Sequence, residues 1–339
     1  MTSDLRSDIN AMIFPAFAGT TLSDACKSFL DAGGLSILLA ESREEYVARK
    51  MSAARCGSET AQTFHDVIGD AKARAGNLLV AVDQEIGGIC RLHSLVPPFP
   101  EVSALPTMSA EALEDNAYQV GAAAAALGVN CFLAPVVDVV TGANPWLKGR
   151  TVSEDPEVVA RVSAAYVRGV QRAGVAATAK HFPGFLNIVL DPAIEAGAIV
   201  TEPKEAFEPG FAPFRDVIAE DVEMIMVGPA ITTAFDPARP ALRSKPVVDM
   251  LKDDLGFKGA VMADGLTAKA TMLGDPVEQV AIDAVAAGCD FLLLEDDGAY
   301  LMDVANALIQ AAERGDLQPE AIARSAAKMR ALAQKYSKP

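Results

Sequence analysis

Eight short apolar runs, each closed by polar, Gly or Pro residues, recur along this 339-residue chain. They constrain its fold more than any other feature. They read as strands over residues 11–15, 36–40, 78–83, 131–138, 176–181, 224–227, 260–264 and 291–294. The runs are continuously apolar, as strands are when both faces are buried. Between most of them lie segments with apolar residues three and four apart, which predict helices over 109–127, 156–173, 276–287 and 300–314. Strand alternating with helix means a parallel sheet. Eight such units over this length predict a closed (β/α)8 TIM barrel, one α/β domain over residues 1–339. No Gly-x-Gly-x-x-Gly follows the early strands, which weighs against a dinucleotide-binding sheet. A last helix over 319–336 is expected to lie on the barrel and end the fold.

Composition narrows the function. The hydrophobic fraction is 51%, ample for a large core. The net charge of −16 repels phosphate backbones and offers no polybasic anchor, so neither nucleic acid nor a membrane is an expected partner. The five cysteines (Cys26, Cys56, Cys90, Cys131, Cys289) are odd in number and lack a Cys-x-x-Cys, so they read as reduced, mostly buried thiols and not as a zinc site. Residues 1–10 are polar and acidic, and the apolar run after them lacks a basic leader. The expectation is a cytoplasmic protein that takes a small-molecule or oligosaccharide partner, with the oligomeric state open.

In a barrel, functional groups gather where strands end on their C-terminal side. The polar residues there are Asp83, opening Asp83-Gln84-Glu85-Ile86-Gly87-Gly88-Ile89-Cys90-Arg91; Arg150, in Lys148-Gly149-Arg150; Lys180 and His181, in Ala179-Lys180-His181-Phe182-Pro183-Gly184; and Asp264, in Met262-Ala263-Asp264-Gly265-Leu266-Thr267. Each also has a plain structural reading. Asp83 is a turn cap and Arg91 the partner of a carboxylate. Arg150 is a loop arginine, His181 a satisfied core histidine, and Asp264 an N-cap. For His181 the neighbouring lysine argues against that reading, because two adjacent polar side chains in a dry core are costly.

The Lys180-to-Gly184 segment resembles the Lys-His-Phe-Pro-Gly-His-Gly loop of family 3 glycoside hydrolases, in particular the single-domain β-N-acetylglucosaminidase branch. The Asp83-Gln84-Glu85 loop, the arginine before Asp155-Pro156, Ala134-Pro135-Val136-Val137-Asp138, Phe235-Asp236-Pro237 and Leu255-Gly256-Phe257 extend the resemblance from about residue 24 to 296. It implies a TIM-barrel glycosidase with Asp264 as the nucleophile. Asp83, Arg91, Arg150, Lys180 and His181 would be sugar ligands, Arg91 also shaping the pocket. It implies retention through a covalent glycosyl-aspartate, and neither cofactor nor metal.

The chain departs from that family's pattern at Gly265, which replaces the residue after the nucleophile, at Val227-Gly228-Pro229, which replaces an Ala-His, and above all in the proton-transfer loop. In the relatives the loop runs on to an Asp-Ser-His whose histidine, paired with the aspartate, transfers the proton. Here Asp191 keeps the aspartate position, as what remains of the catalytic acid-base pair, but Ala193 stands where the histidine falls. The chain's three histidines are His65, His93 and His181, and neither His65 nor His93 is an obvious substitute. General acid-base help is worth about 10²–10⁴-fold. Three accounts follow. Another acid (Asp191, Glu195 or the Glu295-Asp296-Asp297 run) does the work. Or the leaving group or acceptor is unusual. Or the barrel binds sugar without cleaving it. The loop 185–190 has also become apolar, as if packed down or facing an apolar aglycone. A Schiff-base barrel using Lys180 is a further, weaker reading.

Overall fold

The computed structural model describes residues 2–295, 298 and 300–337. Eight parallel strands close into a barrel, in chain order Ile13–Phe17, Ser36–Leu39, Leu79–Val82, Cys131–Phe132, Ala176–Phe182, Met224–Val227, Ala260–Ala263 and Phe291–Leu294. The first pairs with the eighth (Ile13 opposite Leu292), which completes the circle. The expected TIM barrel is therefore the observed fold.

Alternation within each strand divides the core in two. One set of residues, including Phe14, Leu38, Leu79, Ala81, Cys131, Leu133, Met224, Met226, Met262 and Phe291, fills the barrel interior, with Phe14 stacked on Phe291 at 4.7 Å between ring centroids. The other set, including Ile37, Val80, Phe132, Ile225, Val261 and Leu292, belongs to the larger outer cluster shared with the helices. Successive strand side chains point to opposite faces, so both sets must be apolar.

The helix Pro319–Tyr336 closes one end of the barrel. Its Ala326, Met329, Leu332 and Tyr336 join the interior cluster. Hydrogen bonds pin its end: Asn130 Nδ2 donates to the Tyr336 carbonyl at 3.0 Å, and Ser337 Oγ accepts from the Leu78 amide at 2.7 Å. These contacts lie at the starts of strands three and four, so the floor is sealed and the C-terminal mouth stays open.

Three details differ from the sequence reading. The first strand begins at Ile13 because Ala11 and Met12 finish the helix Thr2–Met12. The fourth strand is regular only over Cys131–Phe132; beyond it the chain leaves the ladder and returns in one bridge, Val136 to Lys180. A small sheet outside the barrel (Ile199–Val200, Ile231–Thr232, Asp236–Pro240) was not foreseen. Cys26, Cys131 and Cys289 are buried and Cys56 is exposed. Among the described residues no helix is long and apolar enough to cross a membrane.

Candidate active site at the barrel mouth

A cavity of about 360 Å³ opens at the C-terminal ends of the strands. Its wall includes Asp83, Arg150, Lys180, His181 and Asp264, together with Glu41, Arg43, Tyr46, Trp146, Ala193 and Glu295. Five of the seven residues singled out from the sequence therefore meet in one place. Arg91 and Asp191 do not.

Behind the cavity wall lies a carboxylate that sequence reasoning passed over. Glu85 is fully buried, and its Oε1 takes Arg150 Nη2 at 2.7 Å and Lys180 Nζ at 2.8 Å. Its Oε2 takes Arg150 Nε at 3.1 Å and the Ile89 amide at 3.1 Å. Lys180 Nζ also bonds Asp83 Oδ1 at 2.5 Å. Burial opposes ionisation of Glu85, but Arg150 and Lys180 outweigh it and hold its pKa well below the usual carboxylate range. Burial likewise works against the Lys180 charge, but Asp83 and Glu85 raise its pKa above that of a free lysine. The signal was present in Asp83-Gln84-Glu85: a second carboxylate stands two residues after the site aspartate, on the loop that leaves the third strand.

Lys180 and His181 sit where the fifth strand is irregular: its pairing with strand six shifts register between Lys180 and Phe182. A bulge re-aims side chains, and here both adjacent residues face the cavity. His181 is fixed by Asp138, whose Oδ2 accepts from its Nδ1 (2.8 Å) and its backbone amide (3.0 Å). Asp138 Oδ1 accepts from the Phe185 amide at 2.9 Å. With a carboxylate as acceptor, Nδ1 carries the proton and Nε2 is the nitrogen left for a ligand. The Trp146 ring lies over His181, 4.4 Å between centroids, and Trp146 Nε1 donates to Tyr46 Oη at 2.9 Å.

Asp264 follows the last residue of the seventh strand, half-buried on the cavity wall, with Oδ1 taking the amide of Gly265 at 2.7 Å. The next helix, Lys269–Met272, has Ala268 at its N-cap, so the capping role open to Asp264 is not the one it plays. Beside it, Gly265 leaves space that Glu295 fills: a Cβ at 265 would overlap the Glu295 carboxylate. Glu295 Oε2 accepts from the Thr267 hydroxyl at 2.7 Å. Glu295 is exposed and lines the cavity, and desolvation by the protein around it raises its pKa, with Thr267 opposing and Asp264 adding to the rise. Asp296 and Asp297, the other carboxylates of that run, lie outside the described residues.

Two strands round the barrel from Glu295, beyond the first strand, is Glu41, which the sequence did not mark. Its Oε2 is shielded and has no hydrogen-bond partner among the described residues. Burial, then the charge of Asp83, pushes its pKa up to about 8.

Arg91 is fully buried and pairs with Glu59 through both terminal nitrogens at 2.6 and 2.8 Å, which is the plain reading of this residue and not direct sugar contact. Its Nε holds the Ala40 carbonyl at 2.9 Å, so it shapes the pocket from behind, through a lining residue. Asp191 spends its Oδ1 on the Ala193 amide at 2.9 Å and is absent from the cavity wall, whereas Ala193 forms part of that wall. Glu195 is exposed on the same segment and does not line the cavity either. The loop before them is packed down: Phe185, Leu186 and Ile188 are buried, and the Phe185 carbonyl accepts from Asn144 Nδ2 at 2.6 Å.

A closed parallel barrel with a sealed floor and a cleft of paired carboxylates and cations at its mouth defines an α/β barrel with an enzyme-type site. The chain belongs to glycosyl hydrolase family 3: the N-terminal domain of that family matches residues 54–332. A β-hexosaminidase of Stenotrophomonas maltophilia is 32% identical over 225 residues, 64% of this chain and 66% of the relative. One from Nitrosomonas eutropha is 29% identical over 231 residues, again 66% of each. The matched stretch thus spans just under two thirds of these relatives' length. Among solved structures, a family 3 β-N-acetylglucosaminidase from a Paenibacillus species superposes with a TM-score of 0.86 at 28% identity, covering 98% of this chain and 62% of that one. A β-N-acetylhexosaminidase from Beutenbergia cavernae does so with a TM-score of 0.82 at 25% identity, covering 97% and 98%.

Proposed function

We propose that this chain is a retaining, exo-acting β-glycosidase of the β-N-acetylhexosaminidase type with an altered acid-base apparatus. One observation carries the reading: Asp264 shares a cavity of single-sugar size with Asp83, Arg150, Lys180 and His181. The Asp264 carboxylate attacks the anomeric carbon and the bond to the aglycone breaks, leaving a glycosyl-aspartate that water resolves. His181 Nε2 and the free faces of Asp83, Lys180 and Arg150 hold the sugar hydroxyls. Because the ion pairs are already formed, these groups are oriented before substrate arrives. The relatives' printed activities support the choice of a β-linked N-acetylhexosamine. The chemistry draws on side chains alone, without metal or cofactor.

A sugar-binding barrel that does not cleave is the second reading, favoured by Ala193 in the cavity wall. A Schiff base on Lys180 is disfavoured, since its ammonium is held by two carboxylates and has no free lone pair. The test is hydrolysis of an activated aryl β-N-acetylglucosaminide, followed by proton NMR of the first-formed sugar. The reading expects release of the phenol and a β-anomer as first product, both abolished by Asp264→Ala. Tight sugar binding without phenol release favours the binding barrel instead.

A further inference from the structure

Ala193 stands where the resemblance places the dyad histidine, the neighbouring aspartate is turned to its own backbone, and the only histidine in the described cavity wall is committed to Asp138. If the chain cleaves glycosides, a different group must protonate the leaving oxygen. The described wall offers four carboxylates: Glu41, Asp83, Asp264 and Glu295. Asp264 is the proposed nucleophile, and Asp83 is ion-paired to Lys180.

Glu41 and Glu295 remain, and geometry separates them. Glu41 Oε2 is shielded from solvent, and the charged groups acting on Glu41 are Asp83, Glu85 and Lys180, at the sugar-holding end. Glu295 ends the eighth strand, next in the barrel to the seventh, which carries Asp264. It is exposed to the cavity and is influenced by Asp264, Arg43 and Asp83. The Thr267 hydroxyl holds one carboxyl oxygen, so the other is directed without being consumed. Glycine at 265 leaves the space that this carboxyl occupies, and a Cβ there would displace the carboxyl from its present position. The family motif has Asp or Trp at that position, so the loss of a side chain at 265 and the carboxyl filling its place form one coordinated change beside the nucleophile.

We propose that Glu295 is the catalytic acid-base residue of this chain, replacing the histidine of the family's loop. This rests on the glycosidase reading above. In the first step Asp264 forms a bond to the anomeric carbon, the bond to the aglycone oxygen breaks with its electron pair on oxygen, and protonated Glu295 gives that oxygen its proton. In the second step water attacks the anomeric carbon, the Glu295 carboxylate takes its proton, and the bond to Asp264 breaks. A raised pKa suits the first of these roles.

The experiment compares the full-length protein with Glu295→Gln, Glu295→Ala and Glu41→Gln. It uses aryl β-N-acetylglucosaminides of graded leaving-group pKa, with circular dichroism to confirm folding. For both Glu295 variants, kcat/KM on the poorest leaving group should fall about 10²–10⁴-fold. Turnover of a dinitrophenyl substrate should change far less, and the basic limb of the pH profile should vanish. Azide should restore Glu295→Ala and yield the β-glycosyl azide. If the wild type turns over but Glu295 variants stay within a few-fold on every substrate, or if Glu41→Gln alone shows this signature, the assignment of Glu295 is overturned and the glycosidase reading survives. If the wild type turns over nothing, the glycosidase reading fails first and the assignment falls with it.

Discussion

Gly228 and Phe185 compete for one volume: a Cβ on Gly228 would overlap the Phe185 ring at Cε2 and Cζ. The ring is fully buried, edge-on to Trp146 at 5.3 Å and to His181 at 6.5 Å between centroids. Both positions carry a histidine in the resembled family, at the second half of the Lys-His-Phe-Pro-Gly loop and after the sixth strand. Here an aromatic ring rests on bare backbone. The apolar loop is therefore a packed wall behind His181, and only Val189 and Leu190 at its tip remain exposed.

Gly228→Ala is expected to destabilise the fold by about 1–3 kcal/mol through overpacking. Phe185→Ala should cost about 3–5 kcal/mol through the void it leaves. Because the two share one space, the double variant should be less destabilised than the sum, with a coupling of about 0.5–3 kcal/mol in chemical denaturation. Simple additivity would show that the ring moves aside freely.

Glu85 answers two cations with one buried carboxylate. Glu85→Gln keeps the shape but leaves Arg150 and Lys180 under-compensated, and breaking a buried pair in this way costs about 3–5 kcal/mol. Denaturation midpoints at constant m-value are the measurement. A loss under about 1 kcal/mol would mean that water reaches these cations.

Asp138 spends three acceptor contacts on the loop that presents His181. Asp138→Asn sets an amide NH2 either against the two His181 donors or against the Phe185 amide. A hydrogen bond to a charged group is worth about 1.5–3 kcal/mol, so kcat/KM should fall roughly 10–150-fold, mainly through KM. Nitrogen NMR of the imidazole should show a mixture of tautomers in place of a single Nδ1–H form. An unchanged tautomer with unchanged KM would remove Asp138 from the positioning of His181.

The barrel was legible because strand and helix periodicities repeat eight times, and each repeat reinforces the others. The site was legible where a polar residue ends an apolar run, as with Asp83, Lys180, His181 and Asp264. It failed in two ways. Arg91 follows the same loop signal, but its direction depends on Glu59, 32 residues away, whose role no local pattern reveals. Glu41 lies two residues beyond the second strand, much as Asp83 follows the third, yet it lacks a flanking motif. Its significance comes from what Asp83 and burial do to it in space. The Glu295 carboxyl was named only as one of a run, because its contact with position 265 joins two strands.

Glu41 makes stability fall with rising pH. Its pKa is about 8 in the folded protein against 4.5 for a free side chain, so between those values the folded state holds a proton that the unfolded chain has lost. The state binding more protons is weakened as pH rises, so this contribution is complete below pH 4.5 and lost on passing pH 8. Glu41→Gln, which cannot ionise, should flatten the decline in Tm across that window, with little difference from wild type near its acid end. Parallel Tm profiles for the two proteins would place the Glu41 carboxyl in water.

The most direct measurement is labelling with a mechanism-based 5-fluoro-N-acetylglucosaminyl fluoride, then proteolysis and mass mapping. The account predicts one added glycosyl group, on Asp264 in the peptide bearing Met262-Ala263-Asp264-Gly265. A label on any other residue, or full occupancy of the cleft by the inhibitor with no covalent adduct while aryl glycoside is being hydrolysed, would contradict it.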